Sequence, residues 1–130
     1  MIKRRTMYDT TLLLEKLEQI DLAIEKIKRR FTTIKRPDDF LDSEQGIDML
    51  DAIAMMLIAI GENFKIIDKA TNGSLFVPYP HINWAGVKGL RDILSHQYFN
   101  IDAEEIFEIC QKHLDDLHEV VKHMMEALPS

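Results

Sequence analysis

Leu13, Leu17, Ile20, Ile24, Ile27 and Phe31 follow one another at steps of four and three. That spacing holds six apolar side chains on one stripe of a helix and would scatter them over both faces of a strand. The same rhythm returns in Phe107, Cys110, Leu114, Leu117, Val121, Met124 and Leu128. A chain patterned in this way buries its stripes by packing helix on helix. No segment alternates with the period of a strand, and no internal repeat appears. The expected fold is therefore all-α, an up-and-down bundle of four to five helices. With 130 residues and 46% hydrophobic content there is material for one core, so residues 1–130 are read as a single domain.

The first stripe predicts a helix over about 7–32, ended by Pro37 and the acidic DDFLDS. A second helix is expected from Ser43 to Ala70, apolar almost all round between Ala52 and Ile60 and so placed at the centre. The turn-rich TNGSLFVPYPH, residues 71 to 81, reads as a loop, with a third helix from Asn83 to Gln97. The last helix has a clear start. Asp102 with Glu105 forms a capping box, and Ile101 can staple onto Ile106. The surplus of Met and Leu suggests one more packing face than a monomer needs, which makes a homodimer the expectation.

The longest apolar run, AIAMMLIAI at 52–60, is well short of the roughly 20 residues that span a bilayer. A single cysteine, Cys110, forms no internal disulfide, and no leader-like segment is apparent at the start; the expected setting is reducing and cytoplasmic. The net charge of −6 argues against a general nucleic-acid binder, yet the charge is uneven. Residues 1–36 hold ten Lys/Arg against five Asp/Glu, and residues 101–130 hold two against eight. KIKRRFTTIKR, residues 26–36, offers six cations, enough to follow a phosphate backbone or an acidic partner, or simply to favour a helix C-terminus.

The chemistry concentrates in GLRDILSHQYFNID, residues 89–102. Val87, Leu90 and Leu94 define a buried face on the third helix, with Arg91 and Tyr98 on its flank and Asp92 and His96 nearly opposite. Asp92 and His96 are an i, i+4 pair in which the carboxylate can orient the imidazole. Arg91 and His96 stand about 140° apart on an ideal helix. They converge if the arginine reaches around, if the helix unwinds near Ser95, or if two chains meet across a two-fold axis. Histidine moves protons near neutral pH and arginine grips phosphate, a pair able to cleave RNA through its own 2′-hydroxyl. The bland alternative is a surface Arg and His in salt bridges.

The string RDILSHQY fits R-x4-H-x-Y, and it follows PHINWAGVKGL and a central helix carrying IGENF. Together these resemble the HEPN superfamily and, more narrowly, the HepT toxins paired with an MNT-type nucleotidyltransferase antitoxin. The resemblance implies an all-α dimer and a metal-independent ribonuclease without cofactor, its R-x4-H motifs meeting at the dimer cleft. It makes Arg91 the phosphate grip, His96 the proton-transfer or transition-state group, and Tyr98 the residue to which the antitoxin attaches AMP. Asp92 departs from the polar residue common after the arginine. Glu62 of IGENF matches a recurrent acidic position, a buttress for Arg91 or a partner of Lys65 or Lys69. A non-catalytic nucleotide-, RNA- or partner-binding module is the alternative function.

Elsewhere, His113, His118 and His123 recur every five residues, wander around the last helix and are expected to face solvent without binding metal. Cys110 sits on the apolar stripe and reads as core, and Tyr79 and Trp84 read as packing residues.

Overall fold

A computed structural model describes residues 9–95 and 99–129. These residues are helical, with no strand among them. α1, Thr10–Phe31, starts where Asp9 accepts the Thr11 and Leu12 amides at 2.9 and 3.2 Å and runs for 22 residues. It buries Leu13, Leu17, Ile20, Ile24 and Ile27 of the stripe its spacing predicts, and Phe31 at the stripe's end is half-buried. A single 3₁₀ turn, Pro37–Phe40, then reverses the chain and drives Phe40 fully into the core. Asp39 holds this corner by accepting the amides of Lys35 and Arg36 at 2.7 and 3.1 Å. Those hydrogen bonds, with the Arg36 and Lys35 charges behind them, keep its carboxyl below the usual carboxylate range.

α2, Glu44–Thr71, begins at Ser43, whose hydroxyl accepts the Gly46 amide, and ends at Asn72 in the left-handed conformation followed by Gly73. It packs against α1 and three shorter helices, the central position expected of it. Its surface is not buried all round, however: Met55 is 63% exposed and Ile66 41%. The 71–81 segment is more ordered than a plain loop, since Ser74–Phe76 forms a 3₁₀ turn. Phe76 stacks on Trp84 at 4.3 Å between ring centres, and Phe64 meets both edge-on. Tyr79 is buried and its carbonyl accepts from the Trp84 indole at 2.9 Å, so both aromatics pack as expected.

The expected third helix divides. α3, Trp84–Lys88, and α4, Leu90–Ser95, are separated at Gly89, whose amide bonds back to the Ala85 carbonyl. Glycine is a weak helix former and opens a joint there. Asp102 caps the last rod, which comprises α5, Ala103–Glu108, a π turn, Ile109–His113, and α6, Leu114–Ala127. Cys110, Leu114, Leu117, Val121 and Met124 of the expected stripe line its buried side, but Ile106 rather than Phe107 is buried at its start, and Phe107 and Leu128 are half-buried. Burial pushes the Cys110 thiol up to about 12. No helix among the described residues is long and apolar enough to cross a membrane.

Candidate functional site

α4 is seated by Leu90 and Leu94, both buried one turn apart, with half-buried Val87 on α3 before them. It lies unusually close to α2. A Cβ added to Gly61 would come within 2.8 Å of the Val87 carbonyl and 3.2 Å of the Leu90 Cβ, so glycine permits this approach. Arg91, the residue after Leu90, is thereby carried to the α2 flank, where its Nη1 stands 3.7 Å from Glu62 Oε1. Glu62 Oε2 in turn lies 3.6 Å from Lys65 Nζ, without a hydrogen-bond partner of its own. Both alternatives for Glu62 thus coexist: it faces Arg91 and Lys65 together.

At these separations, with side chains 58% and 39% exposed, the Arg91–Glu62 pair adds little stability. Its effect is to place the guanidinium beside α2 while the arginine side chain stays largely exposed, and a guanidinium so exposed can offer a phosphate two N–H donors at once. Asp92 and Ser95 are exposed on α4. His96 and Tyr98 lie outside the described residues.

The histidine expectation needs one correction. His113 and His123 are exposed, but His118 is buried at 4% exposure. Lys28 Nζ approaches its Nδ1 at 2.8 Å and Asp21 Oδ1 its Nε2 at 2.7 Å. An ammonium can only donate, so Nδ1 accepts and the Nε2–H donates to Asp21. Lys28 also pairs with Asp115 at 2.9 Å, and this hydrogen bond and charge hold the Asp115 carboxyl low. The result is a polar clip between α1 and α6. Sequence reading missed it because steps of five residues say nothing about partners on another helix. Asp21, Glu25 and His118 do bring three ligand atoms within 4.8 Å of one another. The lone pair a metal would need on Nε2 is occupied by the proton that Lys28 forces there, so the arrangement suits a hydrogen-bonded clip better than a metal centre.

On the other flank of α4 a cleft of about 370 Å³ opens toward α5 and α6. Leu57, Val87 and Ile93 line it together with Ile109 and His113 of the π turn. Arg91 is not among its lining residues, so the arginine site is the α2 side of α4.

The described residues form an all-helical fold that presents an exposed arginine, beside a carboxylate, on a short helix. Residues 20–124 match the model of the family described as "Ribonuclease HepT-like", and the chain belongs to that family. Three proteins of Methanocaldococcus jannaschii are similar. One, named "Gamma-glutamylcyclotransferase and putative RNase", is 31% identical over 112 residues, 86% of this chain and 45% of that protein. Two named "Putative RNase" are 30% identical over 77 residues, 59% of this chain and 63% of the relative, and 33% identical over 66 residues, 51% of each. The chain therefore spans about half the length of the curated relatives it matches. No solved structure matches it.

Proposed function

We propose that the protein is a metal-independent endoribonuclease acting as the toxin of a toxin–antitoxin pair. The observation that carries this reading is the exposed Arg91 guanidinium, held beside Glu62, in a chain of the HepT-like ribonuclease family. In the proposed reaction the RNA 2′-oxygen attacks the adjacent phosphorus as its proton passes to a base. The 5′-oxygen of the next nucleotide leaves with a proton, giving a 2′,3′-cyclic phosphate and a 5′-hydroxyl. Arg91 stabilises the charge gathering on the phosphoryl oxygens, and His96 moves the protons.

Two chains complete the site in this reading. Met55, Glu62 and Ile66 are spaced i, i+7, i+11 on α2 and share its outer face, so exposed apolar side chains flank the Glu62–Arg91 pair. A second copy covering that face brings two Arg91 side chains to one cleft in the cytoplasm. Tyr98, two residues beyond His96, is the position at which an MNT-type nucleotidyltransferase attaches AMP. A phosphate there sets negative charge and bulk against RNA entry. An exposed Asp92 beside Arg91 and the net charge of −6 favour the second reading, a binding module without catalysis.

The test is incubation of total cellular RNA with the wild-type chain, Arg91→Ala and His96→Ala in excess chelator, after mass measurement has established an unmodified Tyr98. Discrete products ending in cyclic phosphate from the wild type alone support the nuclease. Intact RNA in all three reactions leaves the binding module.

A further inference from the structure

KIKRRFTTIKR, residues 26–36, contains six cations, and only two of them, Lys28 and Arg36, are ion-paired among the described residues. Lys28 is spent on Asp115 and His118, and Arg36 on Asp38, Asp39 and Asp42. Lys26, Arg29, Arg30 and Lys35 have no carboxylate within ion-pair distance among the described residues, although acids outnumber bases in the chain by 22 to 16. Of the cations farther along, Lys65, Lys88, Arg91 and Lys112 have such a partner, while Lys69 and Lys122 stand singly and do not cluster. Favouring the α1 C-terminus explains Arg29 and Arg30 but not Lys26, which lies more than a turn from that end. Nor does it explain Arg30 Nη1, which is shut away from solvent without a hydrogen-bond acceptor. Because no hydrogen bond holds that nitrogen, swinging it toward an incoming oxygen breaks nothing.

Leu22, Lys26, Arg29 and Arg30 are spaced i, i+4, i+7, i+8 and share one face of α1. Beside this face runs a groove of about 280 Å³ between α1 and α2, where Leu22 and Lys26 meet Met56, Ala59 and Asn63. Cations on the rim with an apolar channel next to them match a single strand, whose phosphates take the rim while unstacked bases lie against the channel. A duplex offers phosphates but no free bases. The groove borders the α2 face that carries Met55 and Glu62, so a strand held there lies at the edge of the dimer cleft proposed above.

We propose that Lys26, Arg29 and Arg30 with the adjoining α1–α2 groove form a holding site for single-stranded RNA outside the cleavage centre. This rests on the ribonuclease reading above and assigns that enzyme its substrate class. The experiment compares wild type with Lys26→Ala/Arg29→Ala/Arg30→Ala and the charge-preserving Arg29→Lys/Arg30→Lys. Cleavage kinetics are read beside anisotropy of a fluorescein-labelled single-stranded RNA, alone and annealed to its complement, in a His96→Ala background.

The triple variant is expected to raise KM about tenfold at little change in kcat, and to make the salt dependence of single-strand binding shallower by about 2 in log–log slope. The charge-preserving variant stays near wild type. If the triple variant melts early, Arg30→Gln alone reads a slope shallower by about 0.7. An active wild type whose KM and salt slope survive the triple change overturns the holding site and leaves the nuclease standing. Loss of binding to poly-L-glutamate with RNA affinity intact makes the face a protein-docking surface and overturns it as well. A wild type that neither binds nor cuts RNA sinks the ribonuclease reading, and this site with it.

Discussion

Gly61→Ala tests whether the close seating of α4 on α2 matters for function. The new methyl would sit 2.8 Å from the Val87 carbonyl, while ordinary contact begins at 3.4 Å, so α3 and α4 must retreat by 3.4 − 2.8, or about 0.6 Å. The obstacle is backbone, which no rotamer change relieves. Overpacking of this kind costs about 1–3 kcal/mol, and replacing glycine inside a helix returns about 1 kcal/mol. The net loss is about 0–2 kcal/mol, a fall in melting temperature of at most about 8 °C. In the ribonuclease reading proposed above, catalysis is far more sensitive. Arg91 rides on α4 at the edge of its contact with Glu62, and a displacement of this size at a charge-stabilising group lowers the rate about ten- to a hundredfold. Thermal melting and cleavage of total RNA, measured on the same preparation, read the two effects separately. Wild-type cleavage together with a raised melting temperature would refute the idea that this contact positions the arginine.

Three further outcomes are expected. His118→Ala destabilises by about 2–4 kcal/mol, because it opens a hole and leaves Asp21 without its partner; in a double-mutant cycle with Lys28→Ala, strict additivity would show that the clip does not act as a unit. Cys110, with its thiol at about 12, resists iodoacetamide at pH 8 while folded and reacts readily in guanidinium; its share of stability is whole below the ordinary thiol pKa and drains away as pH rises toward 12, and rapid labelling of the native protein would contradict this. Asp39 and Asp115 titrate low when folded, so the stability they bring is present above the ordinary carboxylate range and lost as pH falls through their depressed values. Asp39→Asn should flatten the acid limb of melting temperature against pH, and an equally steep limb would count against the corner hydrogen bonds.

Local chemistry made much of the fold readable. The second helix was expected over Ser43–Ala70 and runs Glu44–Thr71, because a serine cap and a left-handed Asn-Gly exit are signals carried by a few adjacent residues. The buried stripes of α1 and the last rod were readable for the same reason. What escaped depends on contacts made at long range. His118 meets Asp21 and Lys28 across 97 and 90 residues, and Gly61 looks like any helical glycine until α4 is laid upon it. Arg91 stood out through its motif, and its approach to Glu62 was one of two alternatives the sequence left open.

The π turn at Ile109–His113 fixes the length of the last rod. It holds one residue more than an α-helix would use for the same advance, so the two halves are out of phase. α5 is set against the Pro37–Phe40 corner and α6 against α1. Deleting one residue of the turn would let a plain α-helix cover the same advance, so His118 and Val121 would keep their place against α1. Adding a residue in the regular helix beyond has no such outlet and would turn everything after it by about 100°. The rod can therefore lose a residue at this turn more safely than it can gain one in α6. Single-residue gaps should be commoner here than single-residue insertions farther along.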